Sequence, residues 1–271
     1  MSNINKPNKF LPTTKEEMKQ RGWDELDVIL ITGDAYIDSP FMGIAVVGRI
    51  LEDIGLRVGI IGQPDVNSDI DVKRMGEPKL FWGVSGGSID SMVSNYTATK
   101  KFRNSDDYTP GGQNNKRPDR ATLVYTNLIR RYFKNTVPIV LGGIEASLRR
   151  LTHYDYWTNK LRKPILFDTK ADYMVYGMGE QAIIDLGNYL KEGKDPRTIR
   201  GLCYISKEAP KEESFLEIPS HQACLDDKEK YIDLFKAFYD NNDPVYSKGL
   251  YQEVDGRFLI QNPPSRHMEE E

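Results

Sequence analysis

Five stretches of this sequence place charge-bearing or hydrogen-bonding residues in or beside short apolar runs. Gly33-Asp34-Ala35-Tyr36-Ile37-Asp38 follows VILIT, Ser85-Gly86-Gly87-Ser88-Ile89-Asp90 follows FWGV, and Gly142-Gly143-Ile144-Glu145, with Arg149 and Arg150 just beyond, follows PIVL. His153-Tyr154-Asp155-Tyr156-Trp157 mixes an imidazole, a carboxylate and rings, and Gly177-Met178-Gly179-Glu180 follows YMVY. The glycines allow sharp turns and close approach of backbone to a ligand. The first turn lacks GxGxxG, and its aspartates would repel a pyrophosphate, which weighs against a dinucleotide site. Ser85 to Ser88 reads either as a cradle of hydroxyls and amides for an anion, or as a helix cap by Ser88. Glu145, Arg149 and Arg150 read either as a ligand-orienting cluster with Arg gripping phosphate, or as an i to i+4 helix pair. His153 beside Asp155 reads as a catalytic pair or as a buried, satisfied one. No nucleophile, base and orienter set and no metal-ligand spacing is present. The residues alone lead to a polar crevice lined by glycines.

The elements that must position these groups alternate. Strands are expected over 27–32, 57–62, 80–85, 138–141, 173–176 and 202–206, with helices over 42–56, 121–134, 180–192 and 228–240. Val46, Val47, Ile50, Leu51 and Ile54 recur at helical spacing, and Gly55 suits the helix end. Strand, helix and strand within about thirty-five residues make a βαβ unit, the building block of parallel sheets. The pattern predicts an α/β, doubly wound, mostly parallel sheet over 27–208, preceded by a lead-in over 1–26. A helical and irregular extension and linker occupies 209–271. Ligand loops in such sheets lie beyond the strand carboxyl ends. Residues 97–120, poor in apolar side chains, predict a long surface excursion, functional or mobile.

Composition narrows the classes. The 271 residues carry a net charge of −3, so no global basic field points to nucleic acid. Charge is uneven: 100–163 holds fourteen Lys/Arg against five Asp/Glu, and 226–271 holds eleven acids against six bases. The two cysteines, Cys203 and Cys224, fit no cluster or zinc spacing and imply reduced thiols and a cytoplasmic setting. No apolar run is long enough to span a membrane, and no secretory h-region is present.

The same stretches resemble the N-terminal part of the YgiQ-like radical SAM proteins. The likeness is carried by ITGDAYIDSPFMGIAVVGRILEDIGLRVGIIGQPD, WGVSGGSIDSMVSNYTA, YTPGGQNNKRPDRATLVYTNLIRR, PIVLGGIEASLRRLTHYDYW and KADYMVYGMGE, from about Gly22 to Ser206. The resemblance implies a flavodoxin-like, cobalamin-binding-like domain. It would precede a radical SAM barrel whose CxxxCxxC motif holds a [4Fe–4S] cluster and S-adenosylmethionine. This chain has no such motif, so the barrel is expected as a partner in cis or in trans. The chain then reads as an excised domain, a split-gene product or a truncated gene.

On this reading Asp34, Asp38, Ser85, Gly86, Gly142, Gly143, Glu145, Arg149 and Gly179 line the crevice and contact a cofactor there. Tyr125 and the 106–120 excursion pack on the barrel or cover the ligand. Bases-off cobalamin binding uses a histidine in a DxHxxG loop. The matching loop here is Asp38-Ser39-Pro40-Phe41-Met42-Gly43, with Ser39 at the ligand position. Two alternatives from other classes stay open: a stand-alone cobalamin- or nucleotide-binding module, and a structural or interaction domain without a ligand.

Overall fold

Uncharged, mostly apolar runs buried on both faces form the first strands. β1 (Val28–Thr32) is buried at all five positions, and β2 (Val58–Gly62) and β3 (Phe81–Ser85) at four each. The structure is a computed structural model and describes residues 10–266. The first nine residues of the expected lead-in and the terminal glutamates lie outside the described residues. The chain divides into two compact units, 1–145 and 146–271.

In the first unit, α1 (Lys15–Gln20) precedes β1, and α2 (Gly43–Asp53) joins β1 to β2. After β2 come α3 (Ile70–Lys73), β3, α4 (Ser91–Asn95), α5 (Ala121–Tyr132) and β4 (Ile139–Gly142). The strands run in the order β2-β1-β3-β4, all parallel, with Thr32 level with Gly62 and Ser85, and Ser85 level with Gly142. From β1 the chain goes to β2 on one side and then to β3 on the other. The loops after β1 and β3 therefore part at a topological switch point, where open α/β sheets keep their crevice. The outer strand β2 is closed off by the lead-in: Ile60 N donates to Pro12 O at 2.9 Å, and Leu11 is buried. Trp82 anchors the far side, fully buried, with its indole N–H on Thr136 Oγ1 at 2.8 Å and its ring 5.2 Å from that of Phe133.

The second unit begins within α6 (Gly143–Ser147), which follows β4 directly. β5 (His153–Asp155) and β6 (Lys160–Arg162) form a hairpin, followed by α7 (Ile165–Thr169), β7 (Tyr173–Val175), α8 (Glu180–Lys191) and β8 (Leu202–Ser206). Then come β9 (Phe215–Ile218), α9 (His221–Asp226), α10 (Lys228–Asp240), β10 (Gly249–Val254) and β11 (Arg257–Gln261). The strand order is β7-β8-β11-β10-β9, antiparallel except for the β10–β9 pair.

The fold is α/β with a mostly parallel sheet in its first unit, as the alternation of strands and helices predicts. The segment from 209 onward differs from the helical and irregular extension expected there, because it supplies three strands. Its signal is a hairpin: Asp255 and Gly256 take φ of +52° and +71°, the conformation an Asp-Gly turn favours between two strands. Leu250, Gln252 and Val254 alternate as the buried side of β10. Gln261 and Asn262, inside the expected extension and linker, are buried; the Asn262 amide donates to Ile199 O at 2.7 Å. Among the described residues no helix is long and apolar enough to cross a membrane.

Removing the Trp82 ring tests the first unit's core. Trp82→Ala is expected to destabilise it by about 3–5 kcal/mol, whereas Trp82→Phe keeps part of the packing and loses the Thr136 bond. Urea unfolding followed by circular dichroism reads both.

Candidate functional site

At the switch point the loops after β1, β3 and β4 are pinned by two buried carboxylates, Asp34 and Glu145. Asp34 Oδ2 accepts from Ser88 N at 2.6 Å, and Glu145 accepts from Ser91 N at 2.8 Å and Thr122 N at 2.9 Å. Gly87 N is taken by Ser85 Oγ at 3.1 Å. Of the amides after β3, Ser88 N and Ser91 N are thus taken by the protein's own carboxylates. The helix cap expected from Ser88 is supplied instead by Asp90, whose carboxylate accepts from Met92 N at 2.9 Å.

The glycines here create contact rather than empty space. A methyl group added at Gly33 would lie 2.1 Å from Gly86 O, one at Gly86 would lie 2.5 Å from Glu145 Oε2, and one at Gly87 would lie 2.3 Å from Asp34 Oδ1. Gly87 also has φ +115°, which disfavours any side chain. At Gly143, with φ +79°, the added group would meet Ser85 Oγ at 2.7 Å.

The sequence reading missed the residue that completes this cluster. Arg117, whose side chain is fully buried, lies 2.8 Å from Asp34 Oδ1 and 3.1 Å from Asp106 Oδ2. It belongs to the 97–120 excursion, which is mostly exposed as expected and also folds onto the loops after β1 and β2. Ala35 N donates to Tyr108 O at 2.9 Å, and the Gln63 amide donates to Gly33 O at 2.9 Å and to Thr109 Oγ1 at 2.6 Å. Nothing in the sequence sets Arg117 apart from Lys116 and Arg120 on either side. Arg117 Nε and Nη1, Tyr125 Oη and Thr122 Oγ1 are buried without a hydrogen-bond partner. Burial raises the Tyr125 pKa above that of an ordinary phenol.

The structure thus brings together Asp34, Ser85, Gly86, Gly142, Gly143 and Glu145 of the expected set. Asp38 stands apart, ion-paired with Arg49, which holds its pKa below the usual carboxylate value; Arg49 also reaches Glu52 at 2.6 Å. Arg149 and Gly179 belong to the second unit. The Arg149 carbonyl accepts from Ile165 N at 2.8 Å, and Gly179 forms the N-terminal cap of α8.

Arg150, singled out with Arg149, is a core residue of the second unit. Its guanidinium lies 4.7 Å from the Tyr176 ring centroid and 4.3 Å from that of Phe238, and donates to Gln261 Oε1 at 2.9 Å. Asp155 closes the β5–β6 turn by accepting from Thr158 Oγ1 at 2.7 Å and Trp157 N at 3.2 Å. His153 Nδ1 hydrogen-bonds to Leu151 O at 3.1 Å, which favours the structural reading of the pair.

A family model described as Radical SAM N-terminal matches residues 10–271. The chain belongs to this family. Among the relatives of the Radical SAM N-terminal domain are UPF0313 proteins of Fusobacterium nucleatum, 60% identical over 264 residues, and Thermotoga petrophila, 51% identical over 265. Each match takes in 97% of this chain and 46% of the relative, so the chain spans about half the length of the curated relatives it matches. A solved radical S-adenosylmethionine methyltransferase, TsrM of Kitasatospora setae with cobalamin and [4Fe-4S] cluster bound, is similar at 19% identity. Its TM-score is 0.44, over 66% of this chain and 29% of that one.

Two measurements check this description. Arg117→Met leaves two buried carboxylates facing each other and is expected to cost about 3–5 kcal/mol. Adding Asp34→Asn to it is expected to cost much less than the sum of the single changes, and a double-mutant cycle by urea unfolding gives the coupling.

The second measurement is a pH series. Burial lowers the His153 pKa to about 4, against 6.5 for a free imidazole, so the unfolded chain binds more protons between these values. His153 therefore contributes stability that is fully present above pH 6.5 and is lost as pH falls toward 4. The urea midpoint should drop over this window, and His153→Asn should flatten the slope.

Proposed function

We propose that this chain is the accessory domain of a radical SAM protein, supporting a catalytic segment that lies outside these 271 residues. The observation that carries the reading is the cysteine inventory set against the family match. Iron–sulfur clusters are held by cysteine thiolates, generally more than two. This Radical SAM N-terminal domain has two cysteines, Cys203 and Cys224, both buried. Burial pushes their thiols up to about 12 and about 11, far from the thiolate a metal needs. A [4Fe–4S] cluster, which the family implies, therefore does not suit the residues present, and we assign it, with the S-adenosylmethionine that the family implies beside it, to the catalytic partner segment.

Cobalamin suits the switch point no better. Ser39 offers no nitrogen to cobalt, and its hydroxyl accepts from Phe41 N at 3.3 Å. Asp38 before it is held by Arg49, and the crevice between the loops after β1 and β3 is filled by Asp34 and Arg117. In our reading this unit works as a rigid support whose loops were closed before any partner arrived. A cytoplasmic site of action agrees with the reduced thiols.

Co-expression tests the proposal. The chain is produced with the remaining segment of the Fusobacterium nucleatum relative, and the expected result is co-purification together with slower loss of iron from that segment in air. No association, with identical iron loss in the presence and absence of the chain, would overturn it.

A further inference from the structure

Helix α10 carries apolar side chains on two sides. Leu234 is buried and the Arg150 guanidinium lies 4.3 Å from the Phe238 ring centroid, which seats the helix on its own unit. Ile232, Phe235 and Tyr239 stand outside that seat. Their spacing of i, i+3 and i+7 sets them in one row along the helix, the pattern of a seam between two helices. All three are exposed, Phe235 at 55% and Tyr239 at 70%, and these two rings stack with centroids 6.4 Å apart. The turn after the helix adds Val245 and Tyr246, exposed at 63% and 87%. That turn is fastened from within: Asp243 Oδ1 accepts from Val245 N at 2.7 Å and Tyr246 N at 2.9 Å, and Asn241 Oδ1 accepts from Lys248 N at 3.2 Å. Single apolar residues on a surface are ordinary, whereas a row on one helix continued by the next turn marks an interaction face. Residues held in place beforehand lose little freedom when they dock.

The path of the polypeptide points to the occupant. Residues after β11 run back beside the start of β8, with Asn262 N donating to Leu202 O at 2.9 Å and Gly201 N donating to Pro263 O at 2.8 Å. Two arginines staple this stretch to the end of α10. Arg150 donates to Gln261 Oε1 at 2.9 Å and to Asn242 Oδ1 at 3.1 Å, and Arg200 donates to Pro264 O at 2.9 Å and to Pro244 O at 2.7 Å. One guanidinium thus spans the gap between Pro264 and Pro244, the residue before Val245. In the UPF0313 relatives the matched part, described as N-terminal, is 46% of the length, so in those proteins the polypeptide runs on from this corner for about as long again. A tether that short makes docking intramolecular, and a small face then suffices.

We propose that Ile232, Phe235 and Tyr239, with Val245 and Tyr246 beyond them, form the face on which the catalytic segment packs an apolar surface of its own. The inference rests on the accessory-domain reading above and adds the place of contact. Aromatic residues gathered in one patch are the usual anchors of such an interface.

Sedimentation velocity of the intact chain with the remaining segment of the Fusobacterium nucleatum relative tests it. The unchanged chain is compared with Phe235→Gln combined with Tyr239→Gln, and with Ile70→Gln, which replaces a similarly exposed apolar residue of the first unit. The double substitution is expected to weaken association by about tenfold or more, and Ile70→Gln to leave it unchanged. Tyr246→Gln, outside any helix, is expected to weaken it in the same direction, and melting followed by circular dichroism checks that each variant keeps the fold. Association that survives the double substitution, or that Ile70→Gln weakens as much, would overturn this inference and leave the accessory role standing. No association of the unchanged chain would overturn both. A dimer of the chain alone that the double substitution dissolves would give the face to a second copy and overturn the proposal as well.

Discussion

A buried guanidinium between two carboxylates holds the carboxyl end of the first unit's sheet together. Arg117 is withdrawn from water with Asp34 and Asp106, at a desolvation cost that only close pairing offsets. That geometry requires the excursion over 97–120 to lie down on the loop after β1, and it requires Asp34 to face away from solvent. Asp34 in turn fixes the turn after β3 through Ser88 N, and Glu145 fixes the same turn and the start of α5 through Ser91 N and Thr122 N. Three loops that diverge from parallel strands are thereby tied into one piece.

This arrangement separates two meanings of glycine at the end of a parallel strand. Where a ligand sits, the missing side chain makes room for it. At Gly33, Gly86 and Gly87 the space is taken by backbone and by the unit's own carboxylates. Of the amides after β3, Gly87 N is taken by Ser85 Oγ and Ser88 N by Asp34, both from within the unit.

Much of this was legible in the sequence. The strands VILIT, FWGVS and IVLG, and the helices after them, stand where apolar periodicity and glycine boundaries put them, because burial on both faces leaves little freedom in composition. Asp34, Ser85, Gly86, Gly143 and Glu145 were recognisable as neighbours for the same reason, since consecutive parallel strands deliver their loops to one edge. Arg117 was not, because a cation inside a polar loop carries no local mark of its burial; the partners 83 and 11 positions away decide it. Strand β10 was hidden by its polar alternation and β11 by its short apolar run between polar ends, until the Asp255-Gly256 turn is paired with the runs on either side.

The seal on β2 has a practical consequence for handling the protein. VGIIG is apolar, uncharged and outermost in its row, the kind of segment that recruits identical segments from other molecules into intermolecular ladders. Pro12 occupies one of its backbone donors and buried Leu11 lies beside it, so the strap formed by residues 10–13 acts as a guard against self-association. Shortening the polypeptide from its front past this strap would bare the β2 edge to pairing with other chains.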